Sequence, residues 1–95
     1  MEPISLIIWL LTAAAGAATA VAYLNWSTIR SWIKQNQVSG GHADVIAKRL
    51  VTGQYKVVAG VFGPTRMKIH TATWQAKQLD PYLAGRLNKV IRVQT

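Results

Sequence analysis

Apolar residues dominate the first 24 positions of the chain, and apolar and polar residues mix beyond position 42. No charged residue occurs from position 4 to position 24, a stretch of 21 residues. At about 1.5 Å per residue, a helix of this length crosses the roughly 30 Å hydrocarbon layer of a bilayer. The pattern therefore predicts a single transmembrane helix, with residues 1–24 as a membrane anchor.

Two alternatives to a retained anchor fit the sequence less well. A cleaved signal peptide has a basic region at its start, whereas the chain begins Met1-Glu2-Pro3 without Lys or Arg. A buried helix of a globular core needs more chain around it than the roughly 70 residues that follow. The anchor is the favoured interpretation.

Polar, small and aromatic residues recur every three or four positions along this predicted helix. In lipid, small residues let helices approach closely, and hydroxyl groups hydrogen-bond across the contact. We therefore predict a helix-packing seam that contacts other membrane-protein subunits or a second copy of the chain, although an alanine-rich segment also produces such spacings by composition. The seam residues are Ser5, Trp9, Thr12, Gly16, Thr19 and Tyr23.

Residues 25–42 are predicted to form a juxtamembrane amphipathic helix followed by a glycine hinge at Gly40 and Gly41. Tryptophan rings favour the acyl boundary of a bilayer, and cations favour its anionic headgroups. Alternatively, this helix prolongs the anchor and packs on the C-terminal domain. The residues assigned to the bilayer interface are Trp26, Arg30, Trp32 and Lys34.

Residues 43–95 are predicted to form a small α+β domain of order αββαβ with a short antiparallel sheet. Residues 43–52 favour a helix, although their β-branched content leaves a strand open. Residues 55–62 and 67–74 favour a hairpin in which Phe62 faces Met67. Asp80 is a candidate N-cap for a short helix that reaches residue 87, and residues 89–94 favour a final strand.

Both faces of the predicted hairpin carry apolar residues, whereas a sheet with one solvated face is polar on that side. We therefore predict that one face, around Tyr55, Val57 and Trp74, binds a partner. The alternative is that the two short helices cover the sheet from opposite sides.

The sequence offers little for catalysis or metal binding. It contains no cysteine, and Asp44 and Asp80 lie at predicted helix starts, where capping is the common role. His42 and His70 have no neighbouring ligand at a suitable spacing. Phosphate-binding glycine loops, nucleophile motifs and dinucleotide fingerprints are missing from the sequence. We therefore predict a protein without enzymatic activity, cofactor or metal.

Basic charge is the strongest remaining signal. The chain carries 11 Lys and Arg against three Asp and Glu, a net charge of +8, and a basic patch is predicted at Arg66 and Lys68. Such charge suits anionic headgroups, an acidic protein or nucleic-acid phosphates. Nucleic acid is the weaker candidate, because the sequence has no helix-turn-helix or zinc-finger pattern.

Taken together, these patterns favour a non-catalytic, single-pass membrane protein that is an accessory or scaffold subunit of a membrane complex. The positive-inside rule places its basic domain on the cytoplasmic side. The alternative function is a membrane-tethered module that binds nucleic acid or anionic lipid.

Overall fold

The computed structural model describes residues 18–64 and 68–94, which form a five-stranded mixed sheet and two helices. The strands lie in the order β1–β4–β3–β2–β5, with β1 parallel to β4 and all other neighbours antiparallel. In chain order the elements are β1 (Ala18–Leu24), α1 (Trp26–Asn36), β2 (His42–Arg49), β3 (Tyr55–Phe62), β4 (Lys68–Leu79), α2 (Pro81–Ala84) and β5 (Ile91–Gln94).

The end of the predicted transmembrane helix is a strand in the structure. Residues Ala18–Leu24 form β1 and pair in parallel with β4, with Thr19 opposite Trp74 and Val21 opposite Ala76. Backbone pairing with β4 therefore overrides the helical preference of the alanine-rich sequence. Among the described residues, α1 has 11 residues and α2 four, and neither helix is long and apolar enough to cross a bilayer. The predicted single-pass anchor, and the membrane localisation with a cytoplasmic basic domain that followed from it, are wrong.

The predicted order αββαβ is also wrong, because residues 43–52 do not form a helix. Residues His42–Arg49 form β2, which lies between β3 and β5. Ala43, Val45 and Ala47 face one side of the sheet and Ile46 the other, and all four are buried. A strand in this position buries apolar side chains on both faces, which an amphipathic helix does not do.

The β3–β4 hairpin has a different register from the predicted one. Phe62 lies opposite Lys68 instead of Met67, and the register shifts between Val61 and Phe62. Such a bulge adds one residue to one strand and changes which side chains face each other beyond it.

The main core lies between α1 and one face of the sheet, here called the first face. Helix α1 contributes the buried residues Ile29 and Ile33, and α2 contributes Leu83. The Trp32 and Trp74 rings meet nearly perpendicular to each other, with 6.0 Å between the ring centroids. The first-face residues in this cluster are Ala43, Val45, Ala47, Val57, Ala59, Val61, Trp74, Ala76 and Ile91.

The predicted glycine hinge is a tightly packed turn. Gly40 has a φ of +76°, which residues with a side chain rarely adopt. A Cβ atom on Gly41 would overlap the carbonyl oxygen of Phe62, so the turn lies directly against the end of β3. The Gly41 N–H donates to the carbonyl of Val38 at 3.0 Å and closes the turn.

Asp80 connects the beginnings of the two helices. Its Oδ1 accepts a hydrogen bond from the Leu83 N–H at 2.9 Å, so Asp80 is the N-cap of α2, as the sequence predicts. Its Oδ2 accepts the N–H of Trp26, the first residue of α1. The Asp80 N–H in turn donates to the carbonyl of Leu24 at 3.0 Å. One side chain thus satisfies donors at two helix starts that have no partner within their own helices.

We expect Asp80→Ala to lower the free energy of unfolding by about 1–3 kcal/mol, because two part-buried backbone N–H groups lose their acceptor. Asp80→Asn retains one carbonyl oxygen and should cost clearly less. Urea denaturation followed by tryptophan fluorescence measures both changes. An Asp80→Ala midpoint equal to that of the unmodified chain would contradict this role.

Candidate functional site

A groove of about 470 Å³ lies between α1 and the edge strand β5. One wall consists of polar and basic residues of α1 and the residue that follows it, and the other consists of the end of β5. The lining residues are Ser27, Arg30, Ser31, Ile33, Lys34, Gln37, Val93 and Gln94.

The helical repeat explains why the groove wall is polar. Ser27, Ser31 and Lys34 lie three or four positions apart and therefore share one side of α1, with Arg30 beside them. Ile29 and Ile33 point at the sheet, and Trp32 lies on the opposite side of the helix, next to β4. The side that carries the hydroxyls and cations is consequently the one nearest β5.

The groove is positively charged. Arg30 and Lys34 are exposed, and within residues 18–64 and 68–94 neither forms an ion pair. The two carboxylates in this part of the chain are Asp44 and Asp80, and both are engaged elsewhere. The Arg30 and Lys34 charges therefore have no acidic partner among residues 18–64 and 68–94, and they can attract an anionic ligand.

The strand that forms the second wall is held by a salt bridge. The Arg92 guanidinium donates to both carboxylate oxygens of Asp44, at 2.8 Å from Nε and 3.1 Å from the terminal nitrogen. Asp44 is fully buried on β2, directly opposite Arg92 in the sheet. The hydrogen bond to Asp44 raises the pKa of Arg92, and partial burial opposes that change. Asp44 is thus a sheet residue bound to Arg92 and not the helix cap that the sequence predicts.

His42 lies beside this salt bridge. Its Nε2 is 3.6 Å from an Asp44 oxygen, beyond hydrogen-bond distance, and the ring stacks on Phe62 at 5.2 Å. Among the described residues, no group of three or more His, Cys, Asp or Glu side chains is arranged to hold a metal ion.

The predicted partner face is covered by the chain itself. Val57 is 0% exposed and Trp74 is 7% exposed, and both lie in the cluster beneath α1 with Tyr55 packed against them. This face is apolar because it forms the core of the protein.

The residues assigned to a bilayer interface divide between the core and the groove. The Trp26 ring packs on Tyr82 at 4.9 Å, and Trp32 meets Trp74, so both rings contact protein. Arg30 and Lys34 line the groove.

The other predicted sites lie partly outside the described residues. Thr19 and Tyr23 belong to β1, so they do not form a helical seam. Lys68 begins β4, while Arg66 of the predicted basic patch is outside the described part. The remaining seam residues, also outside it, are Ser5, Trp9, Thr12 and Gly16.

Of the residues that line the groove, the sequence predicts only Arg30 and Lys34 as site residues. It misses Ser27, Ser31, Ile33, Gln37, Val93 and Gln94. The alternation of Ile91 and Val93 with polar neighbours indicates a strand, but nothing local shows that this strand lies beside β2 and near α1. That placement depends on the Asp44–Arg92 pairing between distant parts of the chain.

Comparisons with known proteins give no further guidance. No family model, no curated protein and no solved structure matches the chain. The function therefore has to be argued from the site itself.

Replacing Arg92 tests whether the salt bridge holds β5 in place. We expect Arg92→Met to lower the free energy of unfolding by about 2–3 kcal/mol, because it leaves the buried Asp44 carboxylate unpaired. The expected loss is smaller than for a fully buried ion pair, because the Arg92 side chain is 49% exposed.

A double variant provides the control. Adding Asp44→Asn to Arg92→Met removes the buried charge and should recover part of the lost stability, as measured by urea denaturation. Equal stability of the single and double variants would show that the unpaired Asp44 charge is not what destabilises Arg92→Met.

Proposed function

We propose that the protein is a non-catalytic accessory or scaffold protein whose groove binds an extended, acidic segment of a partner protein. The observation that carries this proposal is the position of two cations, Arg30 and Lys34, which form no ion pair with another described residue and lie beside the edge strand β5. The two cations supply charge for an acidic segment, and the edge strand supplies backbone groups for an extended one.

The edge position of β5 supports an extended ligand. In the sheet of the described strands, β5 pairs with β2 on one side only. Every second residue of an edge strand directs its N–H and C=O groups away from the sheet, where an added strand can bind them. Recognition by strand addition uses these backbone bonds for affinity and alternate side chains for specificity.

The charge of the groove supports an acidic ligand. A peptide added to β5 would place every second side chain on the side of α1. Carboxylates at those positions would meet Arg30 and Lys34, and the hydroxyls of Ser27 and Ser31 offer further hydrogen bonds. The net charge of +8 would also speed encounter with an acidic partner.

Two features favour a peptide over nucleic acid as the ligand. Single-stranded nucleic acids bind on aromatic side chains that stack with the bases, and none of the described lining residues is aromatic. Two cations also neutralise few phosphates, which leaves weak binding at physiological salt.

Binding of a fluorescent decapeptide of alternating Glu and Val tests the proposal in 150 mM salt. We expect saturable binding, and we expect Arg30→Glu with Lys34→Glu to weaken it roughly tenfold or more, equivalent to about 1.4 kcal/mol. A peptide with N-methylated backbone amides should also bind more weakly, because it cannot pair fully with β5.

The matched control makes the same charge change away from the groove. Arg49→Glu with Lys89→Glu reverses two exposed cations of the sheet and the loops and should leave peptide affinity within about twofold. Equal losses of peptide affinity from both double variants would show that the effect comes from net charge and not from the groove. Tighter binding of an oligothymidine that depends on Arg30 and Lys34 would instead support nucleic acid as the ligand.

A further inference from the structure

Strand β1 forms the edge of the sheet opposite β5. Among the described strands it pairs with β4 alone. Every second residue of an edge strand directs its N–H and C=O groups away from the sheet, where another strand can bind them. Five of the seven residues of β1 are exposed, whereas β2 and β3 are largely buried. β1 therefore offers both backbone groups and side chains to an added strand.

The edge formed by β1 lacks the features that usually prevent pairing with another chain, which are charged side chains, proline and bulges. The strand has the sequence ATAVAYL, without charge or proline. Its register with β4 is constant from Ala18 to Leu24, so it contains no bulge. Tyr23, near its end, is a large side chain that is 48% exposed. These features favour pairing of β1 with a further strand.

We propose that β1 pairs antiparallel with β1 of a second copy of this chain, across a twofold axis at Val21. Twofold symmetry is the commonest symmetry of soluble homo-oligomers, and it brings the same surface of both copies together. A pair centred on Val21 uses all seven residues of the strand. The two five-stranded sheets then form one continuous sheet.

The register that follows from this symmetry places compatible side chains opposite each other. Val21 lies opposite Val21 of the second copy, and Thr19 lies opposite Tyr23 of the second copy. The pairing of β1 with β4 puts these residues on the first face, level with Trp74 and Ala76. Aromatic and β-branched residues that lie opposite each other stabilise antiparallel strands. The dimer would thus cover the exposed Tyr23 ring of both copies.

The distribution of charge favours a second copy at this edge. Two chains of net charge +8 repel each other where their cations come close. β1 is uncharged, and Lys77 of β4, level with Ala22, would lie at least three strand spacings from Lys77 of the second copy. Three spacings are about 14 Å, beyond the screening length of about 8 Å at physiological salt. β5, in contrast, carries Arg92 and lies beside Arg30 and Lys34.

Pairing through β1 leaves the β5 edge of both copies free. The two β5 strands would lie nine strand spacings apart, which is about 43 Å. A dimer would therefore present two grooves to a partner, which raises the avidity for a ligand that reaches both. This consequence rests on the proposed function, whereas the dimer itself does not.

Sedimentation velocity of the full chain in 150 mM salt tests the dimer. The paired strands form a small interface, so we expect a monomer–dimer equilibrium with a dissociation constant of roughly 10–100 µM. Thr19→Lys with Tyr23→Lys should weaken self-association about tenfold or more, because like charges then lie directly opposite each other. A chain that remains monomeric at about 300 µM, well above the expected dissociation constant, would overturn the proposal.

A matched control adds two lysines in exposed turns. Ser39→Lys with Val51→Lys should leave self-association within about twofold. Mixing the Thr19→Lys, Tyr23→Lys chain with a Thr19→Glu, Tyr23→Glu chain should restore dimers, now between the two variants, because opposite charges face each other. A variant that had only lost its fold would not recover in this way. Equal weakening by both lysine variants, or no recovery in the mixture, would overturn the proposal.

Disulfide trapping tests the register independently, because the chain has no native cysteine. Residues directly opposite each other in antiparallel strands have Cα atoms about 4.5–5.5 Å apart, within reach of a disulfide. We expect Val21→Cys to form disulfide-linked dimers roughly tenfold faster than Val51→Cys, although Val51 is fully exposed and Val21 is partly buried. An equal or faster reaction of Val51→Cys would overturn the proposed pairing.

Discussion

The carboxylate of Asp80 holds the layer of helices on the sheet. It accepts hydrogen bonds from the first residue of α1 and from the first turn of α2, which lie far apart in the sequence. Asp80 thus holds the beginning of α1 next to α2, and the burial of Ile29 and Ile33 in the core sets the direction of α1 across the sheet. With the helix in this position, the side of α1 that carries Arg30 and Lys34 lies beside β5. The proposed binding groove therefore depends on a side chain that does not line it.

The other wall of the groove depends on a charge pair within the sheet. Arg92 lies on β5 and is bound to Asp44, which is buried in the neighbouring strand. An edge strand of four residues has few backbone hydrogen bonds of its own, so a charge-assisted pair adds substantially to its attachment. Because Arg92 is paired with Asp44, the charge of the groove comes from Arg30 and Lys34 of α1. The cation that stabilises the sheet is thus a different residue from the two cations that line the groove.

The sequence predicted the locally determined elements well and the long-range ones poorly. The helix that begins near Trp26, the two strands of the β3–β4 hairpin and the Asp80 cap are encoded by adjacent residues, and the structure has elements at these places. Residues 18–24 and 42–49 are strands because they pair with β4, β3 and β5, and local helical preference does not reveal those pairings. The apolar face around Val57 and Trp74 was recognisable, but its cover, α1, had been assigned to a bilayer. In the groove, the cations of α1 were recognisable from the sequence, whereas the position of Val93 and Gln94 depends on the strand order.

The strand order also constrains how this chain folds during synthesis. Strand β1 is made first, yet its partner in the sheet is β4, and Ala18 finds Thr73 only after both central hairpin strands have been made. The Asp44 carboxylate of β2 likewise gains its partner only after Arg92 of β5 has been made. Folding of this sheet is therefore dominated by contacts between distant positions, which are slow to form. Until β4 is complete, the uncharged residues of β1 have no strand to pair with, and an exposed, unpaired strand of this kind favours aggregation.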